Sequence, residues 1–478
     1  MKPIRFFMLF SFISILLVAC GTVSTPPVDE QVVLATMVAE TVQAALDESP
    51  AEISATQAAP TDNNAPAPVA PTAEAAPPTA VPPPVSPAAL TVAYVKDGNI
   101  YVWTEGGSSV GLTGTTDAQK LSISSDGQRI AYVRELSAVP PTYELWVVNS
   151  DGGLLNPQLL VSQAEMDALK AASQFATADG FDYDQIKFRP GTHELYYSTV
   201  PRFMGPGYAP SYDLRMVNAD TLAKSTLFDF GQAGAFTFSP DGAQIALSAP
   251  DHISLVNTDG SNLRANVLTY PLVGTYSEYQ YHPSPIWAVD SLSLRVSIPP
   301  EDTLTEPTPP TTLWYIPVDG SAATQLGSIP AIPFDWPDGA FSPDMSYVAY
   351  SKSVGEPTEN QREIHIAYAD GSGDIIFATG TSLQFRGWTP DATRFLYASH
   401  SVEDSGLYLG SINGGVFTIT SVNQTMRRIE WVDNDRIIFI YDNPTNGASE
   451  LRISHQGGTN HAFIDTLSDS FPSYDFTQ

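Results

Sequence analysis

Few residues in this 478-residue chain stand in patterns that do chemistry. Gly107-Ser108-Ser109-Val110-Gly111 has the spacing of a nucleophile elbow, in which a serine on a strand–turn–helix corner attacks an acyl carbon. The elbow needs a helix directly after it, and then an Asp and a His in chain order. Here the five residues are small and sit inside a hairpin, so the match is coincidental. The seven histidines (193, 252, 282, 365, 400, 455 and 461) show neither H-E-x-x-H nor a His/Cys zinc spacing. Asn257-Thr258-Asp259-Gly260-Ser261-Asn262 begins like a calcium loop but lacks the Glu that would close it. No Gly-rich phosphate loop or cofactor fingerprint is present, so no cofactor and no metal is expected. Carboxylates paired across loops, acting on a glycan, are the remaining route to catalysis.

A different kind of group stands out in the longer connecting segments. Asp182-Tyr183-Asp184, Tyr276 to His282 and Phe334-Asp335-Trp336 combine aromatic rings with acids. Tyr183, Tyr276, Glu278, Tyr279, His282 and Trp336 form the candidate ligand site. Aromatic faces beside carboxylates suit sugar rings or peptide segments. The alternative is that these rings pack between sheets and seal the centre of the fold.

The elements that would position these residues are repeated. An aromatic–Ser–Pro–Asp–Gly motif followed by an apolar strand is clearest at Phe238-Ser239-Pro240-Asp241-Gly242. It returns at Phe341-Ser342-Pro343-Asp344 and Trp388-Thr389-Pro390-Asp391. Weaker copies are Ile123-Ser124-Ser125-Asp126-Gly127, Phe188-Arg189-Pro190-Gly191, Trp287-Ala288-Val289-Asp290 and Trp431-Val432-Asp433-Asn434. The fourth residue of each copy falls at 126, 191, 241, 290, 344, 391 and 434, with spacings of 65, 50, 49, 54, 47 and 43. Between copies lies a second strand-and-turn unit, such as Ile253-Ser254-Leu255-Val256 before Asp259-Gly260. Each period therefore holds two hairpins, or four strands. Pro presets φ, and Asp and Gly tolerate tight turns, so the motif is a turn and not a phosphate or metal loop.

A period of 40–50 residues is the signature of a propeller. These repeats resemble the Pro-Asp variety of WD40-like repeat found in TolB-like propellers, over about 390 residues. The resemblance implies an all-β fold of four-stranded blades. TolB-like propellers usually have six blades, and this chain departs from that count. Val92-Ala93-Tyr94 and Ile100-Tyr101-Val102-Trp103 match second and third strands with no first strand before them. Phe471 to Phe476 reads as a first strand with no successors. Together they complete one blade and close the ring, removing exposed sheet edges. Seven further copies then give eight blades, with seven as the alternative.

Strand alternation places both turn classes at one end of the blades. The loops between second and third strands, and the blade-to-blade connections, then share the other end, here called the top. The long segments fall there: Val200 to Tyr212, Pro299 to Pro310, and Ser162 to Ala176. In the last, Ser162-x-x-Glu165 predicts a helix cap. Loops on a rigid scaffold commonly carry function, so the top is the expected binding face.

Residues 1–20 read as an export leader. Lys2 and Arg5 precede a 14-residue apolar run, Phe6 to Ala19, which is shorter than the ~20 residues that span a bilayer. Leu17-Val18-Ala19-Cys20-Gly21 resembles the bacterial lipobox, which implies that Cys20 is lipidated and becomes the first mature residue. Cys20 is also the only cysteine, so no internal disulfide can form. Residues 21–49 form a spacer in which Leu34, Val38, Val42 and Leu46 recur at helical spacing. Residues 50–89 are rich in Ala, Pro and Thr and predict a semi-extended, disordered tether. Residues 90–478 form the propeller.

The formal charge is −30, from 22 basic and 52 acidic residues. Such a surface repels phosphate backbones, which disfavours nucleic acid as a partner. The expected role is an envelope lipoprotein, held to a membrane through Cys20, that binds a protein, peptide or polysaccharide at its top face. Two alternatives stand beside it. One is a glycan-acting propeller enzyme. The other, implied by the resemblance to TolB, is an envelope assembly factor.

Overall fold

The computed structural model describes residues 89–477, apart from 153–156, 204–211, 277–279, 306, 332–340, 356–359, 401–404, 422–424, 456–460 and 469–472. The expected leader, spacer and all but the last residue of the tether lie outside the described residues. No helix among the described residues is long and apolar enough to cross a membrane.

The strands form eight antiparallel sheets. Blade 1 is composite: the strand Tyr474–Phe476 lies innermost, followed outward by Thr91–Lys96, Asn99–Thr104 and Val110–Gly111. Blades 2 to 8 follow in chain order over residues 118–161, 180–228, 235–269, 286–329, 341–381, 384–421 and 425–467. Each has four strands except blade 6, where three are described and a single bridge from Phe341 to Val348 marks the place of the first. The chain is an eight-bladed β-propeller, closed by pairing its last strand with Thr91–Lys96.

The core confirms the ring. Among the described residues the core is not one hydrophobic centre but eight apolar clusters between successive blades, one of which joins blade 8 to blade 1. Alternation along the strands explains this, because successive side chains point to opposite sheet faces. In blade 2, Ile130 and Tyr132 pack toward blade 1, while Ala131 and Val133 pack toward blade 3. A blade is thus buried on both faces, which is why its strands read as short apolar runs.

The repeated motif is a turn, as its residues predict. Ser239 Oγ donates to Asp241 Oδ1 (2.6 Å), that oxygen accepts from the Ala243 N–H (3.0 Å), and the Gln244 N–H donates to Ser239 Oγ (2.9 Å). Ser124 with Asp126, Ser342 with Asp344, and Thr389 with Asp391 repeat the bond at 2.6 Å. These turns also link neighbours: the Gly191 N–H donates to Ser125 Oγ (2.9 Å), and the Asp391 N–H to Asn434 Oδ1 (2.8 Å). The one described helix, Gln163–Ala172, follows blade 2 and carries the expected capping box between Ser162 and Glu165.

Candidate functional site

A cavity of about 900 Å³ runs along the propeller axis. The innermost strands of blades 1, 2, 3, 4 and 8 line it, from Lys120 and Asp184 down to the turn residues Ser125, Pro190 and Pro240. Its wall carries three cations, Lys120, Lys187 and Arg428, and three carboxylates, Asp184, Glu430 and Asp475. In a chain of net charge −30, this balanced lining differs from the average surface.

β-Bulges put several of these charges there. In Gly180–Phe188 the pairing register shifts between Tyr183 and Ile186. Phe181, Tyr183, Ile186 and Phe188 all pack into the blade 2–3 interface, and the extra residue leaves Asp184 and Gln185 on the channel side. The same shift occurs between Ala118 and Leu121, around Lys120, and between Arg427 and Glu430, around Arg428. Arg428 sits at φ 49°, in the left-handed region. A bulge inserts a residue and re-aims side chains, a device common beside binding sites.

The charges differ in how far the protein satisfies them. Lys120 Nζ donates to the Tyr183 carbonyl and lies 3.8 Å from Asp182 Oδ1, and Arg202 Nη2 reaches that same carboxylate at 2.6 Å. Arg428 stacks 4.1 Å from the Tyr474 ring centroid, donates from Nη2 to the Tyr474 carbonyl (2.6 Å), and pairs through Nε with Glu430 (2.9 Å). Asp475 accepts from the Ile123 and Phe476 amides at 2.9 and 3.0 Å. Asp184 and Lys187 differ: among the described residues neither side chain makes a hydrogen bond or a close ion pair. Both face the channel water, yet the ring of strands surrounds them. That enclosure raises the Asp184 carboxyl, against the pull of Lys120, and lowers the Lys187 ammonium, against the pull of Asp475.

Above Asp184, at the top, stand Tyr212 and His282. Their rings meet edge to face at 5.4 Å. His282 Nδ1 donates to the Ser248 carbonyl (3.0 Å), and its enclosed Nε2 has no hydrogen-bond partner among the described residues. Burial pushes the Tyr212 hydroxyl up to about 12, with Asp184 adding to the shift.

Of the residues singled out from the sequence, the three described ones, Tyr183, Tyr276 and His282, are not brought together. Tyr183 is fully buried, its ring 5.7 Å from Tyr197, inside the blade 2–3 core. Tyr276 is 64 % exposed on a separate ledge, where Gly274 bridges Asp302 and the Tyr276 hydroxyl donates to Asp302. That bond, with two from the Thr305 hydroxyl and the Leu304 amide, holds the Asp302 carboxyl down at about 2. His282 lies at the channel mouth. Glu278, Tyr279 and Trp336 lie outside the described residues. Lys120, Lys187, Arg428 and Asp475 were not in the sequence-based set. Their signal is a pair of polar residues between apolar ones, as in Tyr183-Asp184-Gln185-Ile186, where a plain strand alternates one by one.

No protein-family model matches the chain, and no curated protein matches it. Solved structures do. Its neighbours include TolB proteins. A putative TolB from Agrobacterium tumefaciens is 13% identical, over 53% of this chain and 88% of its own, with a TM-score of 0.33. TolB from Acinetobacter baumannii is 14% identical, over 59% and 61%, at 0.30. Dipeptidyl peptidase 4 from Porphyromonas gingivalis is 12% identical, over 78% and 57%, at 0.49. Identities and scores are low throughout, so the fold assignment stands on this chain's own eight sheets and eight interfaces.

Proposed function

We propose that this protein is an exported, lipid-anchored module whose propeller binds a partner, entering from the top face, in its axial channel. The observation that carries this reading is the polar cavity of about 900 Å³, a size suited to a small ligand or a short chain segment. Its charges come from rigid inner strands, so they are held in place before a ligand arrives. Cys20 in its lipobox-like setting, with the Ala/Pro/Thr tether after it, supports display at a membrane surface.

The channel's carboxylates favour binding over glycan hydrolysis. That chemistry uses two available carboxyl groups, about 5–10 Å apart. Here Asp475 is tied to backbone amides and Glu430 to Arg428, which leaves Asp184 alone.

The test is to probe peptide and glycan arrays with the full chain and with an Asp184→Trp variant that removes the channel carboxylate and narrows the channel beside it. Binding that the variant loses, and that Tyr276→Ala keeps, supports the reading. Equal binding by the Asp184→Trp protein overturns it. A Cys20→Ala protein that still partitions with membranes overturns the anchoring.

A further inference from the structure

Two charged side chains on one strand define what the channel would hold; the inference rests on the channel being a binding site. Asp184 stands toward the top, near His282 and Tyr212. Lys187 lies three residues further along, toward the turn end. A strand rises ~3.3 Å per residue, so the two groups stand within about 10 Å along the axis. Among the described residues neither has a hydrogen-bonding partner, although their neighbours Lys120, Arg428, Glu430 and Asp475 all do. The negative group closest to Lys187 in charge terms, Asp475, has both oxygens engaged by amides. Both side chains stay solvent-exposed inside the channel, an unpaired anion and an unpaired cation free to meet a ligand's charges.

We propose that the channel binds a short zwitterionic peptide lengthwise, its terminal carboxylate on Lys187 and its terminal ammonium at Asp184. The span fits a tripeptide: three residues at up to ~3.3–3.6 Å each separate the terminal charges by about 7–10 Å. Ligand carboxylate and ammonium each meet an opposite charge that the protein leaves unused. The mixed lining gives no similar match to a purely anionic or purely cationic ligand.

Isothermal titration calorimetry of the full chain tests this with triglycine, triglycine amide and N-acetyl-triglycine. Saturable binding of triglycine is expected, with each capped form at least tenfold weaker. Lys187→Met should erase the preference for the free carboxylate, Lys187→Arg should retain it, and Asp184→Asn should erase the preference for the free ammonium. Cooperative thermal unfolding at no lower a temperature than the wild type's would show that the variants fold. Equal binding of the three peptides, no saturable heat, or a Lys187→Met protein that keeps its preference overturns the proposal. If Asp184→Trp abolishes array binding while triglycine gives no heat, this inference falls and the channel reading stands.

Discussion

Asp475, in the final strand, accepts a hydrogen bond at 2.9 Å from the backbone N–H of Ile123, a residue 352 positions away. The bond ties blade 1 to blade 2 at the closure of the ring. Arg428, stacked on Tyr474, ties blade 1 to blade 8 from the other side. Asp475→Ala leaves the enclosed Ile123 amide without an acceptor, which costs about 1–3 kcal/mol. Asp475→Asn keeps one acceptor and should cost less. Urea denaturation of the full chain ranks the three proteins, and an alanine variant as stable as the wild type would contradict the closure role.

The turn carboxylates make the fold sensitive to acid. Hydrogen bonds from Ser239 and the Ala243 amide hold the Asp241 carboxyl below its ordinary value. Asp126, Asp344 and Asp391 are lowered by equivalent bonds, against a burial effect that opposes the shift. A lowered carboxyl binds its proton less readily folded than unfolded. The stabilisation is therefore complete above ~4, the unfolded value, and fades as pH falls through the lower folded one. Asp241→Ala should cost roughly 0.5–1 kcal/mol at pH 7, since the turn is exposed, and less near pH 2. Unfolding measured at both values checks this; an equal deficit at both would place the effect elsewhere.

The sequence announced the scaffold more clearly than the site, for physical reasons. Turn residues report local geometry, so Ser-Pro-Asp-Gly marked the blades directly. The turn persists even where the glycine is absent: Met345 and Ala392 take φ 62° and 59°, beside Gly242 at 68°. The shared blade was legible because Thr91–Lys96 lacks a first strand that Tyr474–Phe476 supplies. Aromatic content misled at Tyr183, because a ring beside two acids reads the same whether the strand runs straight or bulges. Only the register shift between Tyr183 and Ile186 turns Asp184 to the channel while Tyr183 stays in the core. Lys187 and Arg428 escaped notice because their importance comes from a ring that joins distant segments.

Tyr183 is accordingly a packing residue. Its hydroxyl is buried and has no hydrogen-bond partner among the described residues. Enclosure also drives that hydroxyl well above its ordinary pKa. Tyr183→Phe removes the unsatisfied oxygen and keeps the ring, so it should be neutral or slightly stabilising. Tyr183→Ala opens a cavity in the blade 2–3 core and should cost about 3–5 kcal/mol, as large aromatic truncations do. Thermal unfolding distinguishes the two. A phenylalanine variant that loses more than ~1 kcal/mol would mean that the hydroxyl has a partner after all.

Asp184 should behave in the opposite way to the turn carboxylates. Enclosure in the channel raises its carboxyl, with Asp182 contributing and Lys120 opposing. A raised carboxyl keeps its proton longer in the folded state. Between the unfolded and folded values, rising pH therefore removes stability, and the penalty is full above the folded value. Asp184→Asn lifts that penalty, so the variant should be more stable than the wild type at pH 7 and no more stable at pH 3. Channel water screens the group, which limits the gain to under ~1 kcal/mol. If Lys187 and Asp184 jointly hold a ligand, the same substitution must weaken binding while strengthening the fold. Denaturation at the two pH values, set beside the calorimetric titration, separates the effects, and a variant that is both less stable and weaker in binding would place Asp184 among the structural residues.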